Sequence, residues 1–513
     1  MNPIAKIFLS VAALVAVSLS CMGKAGAADA KPDLVLRGEI TGADHQRYRT
    51  VPFEVPAGTA RITVQFEYGG KEEKTTIDLG LLGPDGFRGQ DGFRGWSGGN
   101  KAIFTVSATD ATPSYLPGPI RPGKWSLLLG IPNIRKETRS EYSARIWLGR
   151  EDTPYWQPEI ANPPLRDEAG WYRGDLHMHD AHSDGSCQSQ AGAKVPCPLF
   201  LTAQAAVARG LDFVAITDHN TTSQANAIRE LQLYFDRLLL VPGREITTFS
   251  GHANLIGTVA PLDFRVEGDM RDGGGRDWNA LLRDAASLHG IVSINHPIRP
   301  SGEICMGCGW TAQPQADPGL LQAVEVVNGM DADTPYSGIP FWEALLNAGH
   351  RLTAIGGSDN HNASQLEPSI GGGPVGVPTT VVRASALSMP ALLDGLRAGH
   401  VFVDVQGSRD RRLDFSARKG DATARMGDGL SAAPGEAIEF TVHTGNVAGG
   451  RVEVIQDGCV LTPIAEPAIT SADQEFRFSW SSDGKPHWVR VNVRGGDGKL
   501  WLLGNPVYVN PAK

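Results

Sequence analysis

Three patterns of apolar spacing follow one another along the chain. From residue 31 to about 150, apolar and polar positions alternate, as in Arg61-Ile-Thr-Val-Gln-Phe-Glu-Tyr68, Lys124-Trp-Ser-Leu-Leu-Leu129 and Tyr142-Ser-Ala-Arg-Ile-Trp-Leu148. A period of two places alternate side chains on one face of a half-buried strand, and short runs split by Gly and Pro turns predict a β-sandwich. Asp85-Gly-Phe-Arg-Gly89 is repeated at once as Asp91-Gly-Phe-Arg-Gly95, which reads as a glycine-rich surface hairpin. Residues 151–170, with Pro154, Pro158, Pro163 and Pro164, read as a linker.

From Gly174 the period changes. Short, mainly apolar runs (Phe213–Thr217, Leu238–Val241, Ile291–Ile294, Val324–Val327, Leu352–Ile355) alternate with helical stretches at Leu199–Arg209, Gln224–Arg237, Asp277–His289, Phe341–Ala348 and Met389–Ala398. Strand then helix, repeated, predicts an α/β region of parallel strands joined by crossovers, a barrel or a doubly wound sheet. In either, chemistry gathers beyond the carboxyl ends of the strands. Near Asp404 the alternation of two returns (Ile438–Val442, Val452–Ile455, Phe476–Trp480, Trp488–Val493), predicting a second all-β sandwich over 406–513.

At 513 residues, two or three domains are expected. A net charge of −9, with no cluster of Lys and Arg, argues against a dedicated nucleic-acid binder. Residues 1–27 carry Lys6, an apolar run from Ile7 to Leu19, and Ala25-Gly-Ala27, the layout of a cleaved signal peptide. Cys21 raises a lipoprotein alternative, but Ser18-Leu-Ser-Cys21 lacks the aliphatic residue a lipobox wants, so a periplasmic or secreted product is expected. No later segment is apolar enough to span a membrane. In an oxidising compartment Cys187, Cys197, Cys305 and Cys308 are expected in structural disulfides of open connectivity, a four-thiolate zinc site being the alternative. Cys459 is left over and is expected to be buried and inert. The Cys305–Trp310 segment is a candidate lid held by a disulfide.

The ends of the central runs carry the chemistry. Gly174-Asp-Leu-His-Met-His179 puts two imidazoles on one side of a strand, with Ser183-Asp184-Gly185 following. Then come Thr217-Asp218-His219, Gly243-Arg-Glu245, Gly251-His252, Asn295-His296-Pro297 and Gly357-Ser-Asp359-Asn-His361. Imidazoles and carboxylates converging on one rim would be desolvated without partners unless divalent cations held them together.

This ordered series resembles the PHP (polymerase and histidinol phosphatase) domain over about residues 171–405. The resemblance implies a distorted (β/α)7 barrel with two or three divalent metal ions, Zn, Mn or Fe. It places metal ligands at His177, His179, Asp184, His219, Glu245, His252, His296, Asp359 and His361, with Glu245 as the bridging carboxylate. Asp180 departs from the family pattern, which has Thr or Ser there. Asp218 is expected to orient His177 or His179, while His182 and Arg299 are candidates for substrate contact. Tyr172-Arg-Gly-Asp-Leu-His, Leu396-Arg-Ala-Gly-His-Val-Phe402 and the all-β C-terminus look further like exported metallohydrolases grouped with carbaryl hydrolase.

The resemblance implies hydrolysis of a small-molecule ester by water activated between cations. A phosphate mono- or diester is the first substrate class. A carboxyl ester, carbamate or amide is the second, and an inactive carbohydrate- or surface-binding protein is the rival from another class.

Overall fold

The computed structural model describes residues 31–89, 92–150, 160–266, 276–303, 305–367, 372–461 and 467–511. The expected signal peptide, Cys21 and residues 151–159 of the expected linker lie outside these.

The first alternating region forms two antiparallel four-stranded sheets. One contains Leu34–Thr41, Arg139–Arg150, Thr59–Tyr68 and Ile103–Ser107; the other contains Arg47–Val55, Gly123–Asn133, Thr76–Leu82 and Phe93–Trp96. Ile62, Val64 and Ile146 from the first sheet meet Leu79, Trp125 and Leu127 from the second in one core. The sandwich is tied to the central region by Asn226, whose side chain bonds the backbone at Ala111 and Thr109, and by the ion pair Arg229–Asp110.

The central region is mixed α/β, with many strands and few helices. Its strands run in the order Gly170–Asp175, Phe213–Ile216, Leu239–Thr248, Gly251–Ile256, Ile291–Ile294, Ala323–Asn328 and Thr353–Gly357. Every residue of Phe213–Ile216 and Ile291–Ile294 is buried, as strands covered on both faces require. Beyond its last strand the chain returns to the first: Asp359 N donates to His177 O at 2.8 Å and His179 N to Asn360 O at 2.9 Å. The two edges of the run therefore meet at their carboxyl ends.

Helices Leu199–Arg209 and Met389–Ala398 occupy the segments expected. Each stops at a glycine in the left-handed region, Gly210 or Gly399, and Ser388 caps the second by accepting from Ala391 N.

One strand departs from the parallel expectation. Gly251–Ile256 pairs antiparallel with both Leu239–Thr248 and Ile291–Ile294, because a tight hairpin rather than a helix precedes it. Its amino end consequently lies beside the carboxyl ends of its neighbours, which brings His252 to the same rim.

The C-terminal strands do not form a separate pair of sheets. Leu500–Gly504 pairs with Val401–Asp404, so that strands His487–Arg494 and Arg451–Gln456 extend the central sheet. A separate sheet of Ala422–Arg425, Arg412–Lys419, Ala437–Gly445 and Asp473–Ser481 covers it, with Phe415, Phe440 and Val491 in the shared core. Among the described residues no helix is long and apolar enough to cross a membrane.

Candidate metal centre

Glu245 lies at the middle of the rim, on the long strand Leu239–Thr248, and is 1% exposed. Its two oxygens face different imidazoles. Oε1 is 3.4 Å from His177 Nε2, 3.3 Å from His252 Nδ1 and 3.3 Å from His296 Nε2. Oε2 is 3.6 Å from His179 Nε2 and 2.7 Å from His219 Nδ1. Asp359 Oδ1 lies 3.3 Å from both His177 Nε2 and His179 Nε2. Asp184 Oδ1 is 3.5 Å from His219 Nε2 and 3.4 Å from His361 Nε2, on the solvent side. All nine residues that the resemblance implied as ligands are thereby brought into one cluster.

Most of these separations are too long for hydrogen bonds. His177 Nε2 and His179 Nε2 are buried and have no hydrogen-bond partner. Leaving such atoms bare costs about 1–3 kcal/mol each. Two atoms bound to one cation at about 2.1 Å lie about 3.0–3.4 Å apart, which is the spacing seen here. Among the described residues, four sets have their ligand atoms within 4.8 Å of one another: His179, Asp184, His219 and His361; His177, His179 and Glu245; His177, His296 and Asp359; and His252, His296 and Cys308. Imidazole nitrogen and carboxylate oxygen together suit Zn, Mn or Fe.

The electrostatics point the same way. Burial opposes charge on Glu245 and Asp359, yet the surrounding imidazoles hold both carboxyls well below the usual range. Burial also opposes charge on His177, but Asp359, Glu325 and Glu245 carry it well above its ordinary value. His219 is pushed up to about 10 against its own burial, chiefly by Glu245 and Asp184. Burial and then His361 push His179 down to about 4, so that ring stays neutral. A cluster of negative carboxylates demands positive charge, from protons or from cations.

The backbone is bent to hold the site. His296 (φ 27°) and Asp359 (φ 52°) both occupy the left-handed region, a strained choice for residues with side chains.

A second layer of contacts includes one residue the sequence reading missed. Glu325 Oε1 is 2.9 Å from His177 Nδ1, while Oε2 accepts from His296 N and Asn328 Nδ2, each at 3.0 Å. A glutamate in the all-buried strand Ala323–Asn328 was the available signal. Asn295 Nδ2 donates to Glu245 Oε1 at 2.9 Å, and Thr247 Oγ1 is 2.8 Å from His219 Nδ1.

The remaining expected residues have partners of their own. Asp218 reaches His179 through Ser183: its Oδ1 accepts from Asp180 N at 3.0 Å and Ser183 Oγ at 2.6 Å, and Ser183 Oγ is 3.5 Å from His179 Nδ1. Asp180 is buried beside it, pushed up to about 8 by desolvation and by the charge of Asp218. His182 is turned to Ser223 Oγ, 2.8 Å away. Arg299 is bound to Asn328 Oδ1 and Asp331 Oδ2, at 2.8 and 2.6 Å, which occupies much of its charge. Cys305 and Cys308 form a disulfide, whereas Cys187 and Cys197 are buried free thiols, so these four cysteines form no four-thiolate site. Cys459 is exposed, not buried, because it lies on the short edge strand Cys459–Val460. The candidate lid Cys305–Trp310 is seated on the rim, with Trp310 N bonded to Pro297 O at 2.9 Å.

No family model and no curated protein matches the chain. Among solved structures, a two-domain protein from Bacteroides vulgatus described as containing a predicted PHP-like metal-dependent phosphoesterase aligns at 17% identity and TM-score 0.36. It covers 67% of this chain and 96% of that one. A mutant of Xylanase10C from Cellvibrio japonicus, in complex with xylopentaose, aligns at 12% identity and TM-score 0.15, covering 57% of this chain and 51% of that one. Likenesses this loose carry no argument about function; the case for a metal centre rests on the side chains of the rim.

Proposed function

We propose that this chain is an exported metal-dependent hydrolase of the PHP type, acting on phosphate mono- or diesters, with its seven central strands forming a distorted barrel. One observation carries the reading: each oxygen of buried Glu245 faces its own set of imidazoles, while Nε2 of His177 and His179 stays without a hydrogen bond. Such a carboxylate would be shared between cations, and His177, His179, Asp184, His219, Glu245, His252, His296, Asp359 and His361 would hold two or three ions of Zn, Mn or Fe.

When bound, such ions bring the pKa of a water toward neutrality and offset charge building on the oxygens of the ester. The protein's own groups do the rest. Glu325 accepts the Nδ1 proton of His177, directing its Nε2 lone pair into the cluster. Asn295 fixes the rotation of the Glu245 carboxylate. Asp218, through Ser183, sets the loop that carries Asp184 to the rim. No serine or cysteine nucleophile is required, and the Cys308 sulfur is tied up in its disulfide. The signal-peptide layout of residues 1–27 supports a periplasmic or secreted product.

The test is release of nitrophenol from nitrophenyl phosphate, bis-nitrophenyl phosphate and nitrophenyl acetate, with Zn, Mn or Fe supplied and again after chelation. Chelator-sensitive turnover of a phosphate ester is expected. Turnover of the acetate alone would move the reading to carboxyl esters, and no turnover of any substrate would reject an enzyme.

A further inference from the structure

The short loop Cys305–Cys308 lies against two of the cluster's imidazoles. A disulfide joins its ends, whose Cα atoms are 5.6 Å apart. Two of its carbonyls are aimed at the cluster: Met306 O lies 3.0 Å from His252 Nε2, and Cys308 O lies 3.2 Å from His296 Nδ1. The remaining nitrogen of each ring faces Glu245 Oε1, at 3.3 Å in both cases. Each imidazole is held between a carboxylate inside the cluster and a loop carbonyl behind it.

A carbonyl only accepts, so the nitrogen facing the loop carries the proton and the nitrogen facing Glu245 presents a lone pair. The two rings are thereby set in opposite tautomers, with the proton on Nε2 in His252 and on Nδ1 in His296. Nearby contacts seat the loop firmly. Gly307 (φ 76°) passes so close to Thr248 O that no side chain fits there. Gly309 N donates to Ser301 Oγ at 3.0 Å, Thr311 N to Ser250 O at 2.9 Å, and the Trp310 ring packs against Trp278 with centroids 4.5 Å apart. Between the two cysteines, the disulfide is the covalent restraint on where the carbonyls point, and Met306 itself is 67% exposed.

We propose that the Cys305–Cys308 disulfide loop is a positioning device for His252 and His296, and that opening it weakens the hold of this side of the cluster on its cation. The inference rests on the metal-hydrolase reading and adds sensitivity to redox state. Opening takes two electrons and two protons from a dithiol, which closes into its own disulfide while Cys305 and Cys308 become thiols. The intact disulfide also keeps the Cys308 sulfur, which lies within 4.8 Å of the His252 and His296 ligand atoms, from entering the ligand set as a thiolate.

The experiment compares the full chain with its Cys305→Ser/Cys308→Ser double variant, which has neither the cross-link nor a thiolate to offer. Zinc affinity is read by competition with a chromophoric chelator, and the visible spectrum of the cobalt-loaded protein reports ligand geometry. The expected result is an affinity for one ion lower by about 10- to 100-fold, the usual cost of losing an outer partner of a ligand, with an altered cobalt spectrum. Unchanged affinity and spectrum would overturn the proposal. Should the double variant not fold, dithiothreitol added to the cobalt-loaded wild type serves instead: the spectrum should change in step with the appearance of two new thiols, and a constant spectrum overturns the proposal. If the unmodified protein takes up no ion at all, the hydrolase reading fails first. If it takes up ions and the variant matches it, only the role of the loop fails.

Discussion

Two buried clusters of charge in this molecule look alike in composition and differ in satisfaction. Within the C-terminal strands, Arg490 is as deeply buried as His177, His179, His252 and His296, yet its Nε donates to Glu343 Oε1 at 3.1 Å and its Nη1 to Asn492 Oδ1 at 2.6 Å. Asn492 and Arg494 in turn bond Glu453 Oε2, and Arg494 Nη1 reaches Asp333 Oδ1 at 2.8 Å. Donor meets acceptor throughout, so the network closes on itself and needs no guest. At the rim, lone pairs and negative oxygens converge at 3.3–3.6 Å with few protons between them, and buried atoms are left bare. Burial and charge do not by themselves mark a binding site; buried atoms that nothing in the protein satisfies do.

The contrast can be broken most directly at Glu343. Glu343→Ala strands the Arg490 guanidinium and is expected to cost about 3–5 kcal/mol of stability in denaturant unfolding, with hydrolysis per folded molecule unchanged. A loss of activity without a loss of stability would mean that this network also serves the site.

Glu245→Gln is expected to strike the site harder than the fold. Losing this carboxylate removes a partner that raises His177 and His219, so the metal-stripped protein loses some stability, while zinc uptake and turnover fall by more than about 100-fold, beyond the usual cost of losing an outer partner of a ligand. Retained uptake measured by elemental analysis would refute the bridging role.

A smaller effect sharpens the comparison through pH. His219 is raised from 6.5 to about 10, so in the metal-stripped protein its stabilising contribution is complete below 6.5 and is lost as pH climbs through about 10. A cation must displace that proton, so affinity should rise by up to about tenfold per pH unit over the same window, read by chelator competition. A pH-independent affinity there would remove His219 from the ligand set.

Much of the site was legible because its parts are local. His177 and His179, two positions apart, share a side of the chain in any extended conformation, and runs such as Phe213–Ile216 and Ile291–Ile294 carry their own strand signal. What escaped was long-range. Glu325 lies 148 residues from the imidazole it touches, and nothing near it in the chain foretells that contact. Arg299 stands in the sequence as a candidate for substrate contact, and only the fold puts Asn328 and Asp331, 29 and 32 residues on, beside it.

Period, capping and ligand type are therefore properties the sequence determines by itself, since each depends on residues within a turn or two of one another. Helix Met389–Ala398, with Ser388 before it and Gly399 after it, is one case. The tertiary structure alone decided that Gly251–Ile256 runs antiparallel and delivers His252 to the rim, and that the C-terminal strands extend the central sheet. It also decided that a disulfide loop stands behind two imidazoles. Those outcomes depend on which strand edges and carbonyls meet across the fold, a choice made by summed packing and hydrogen bonding that no short stretch of chain encodes.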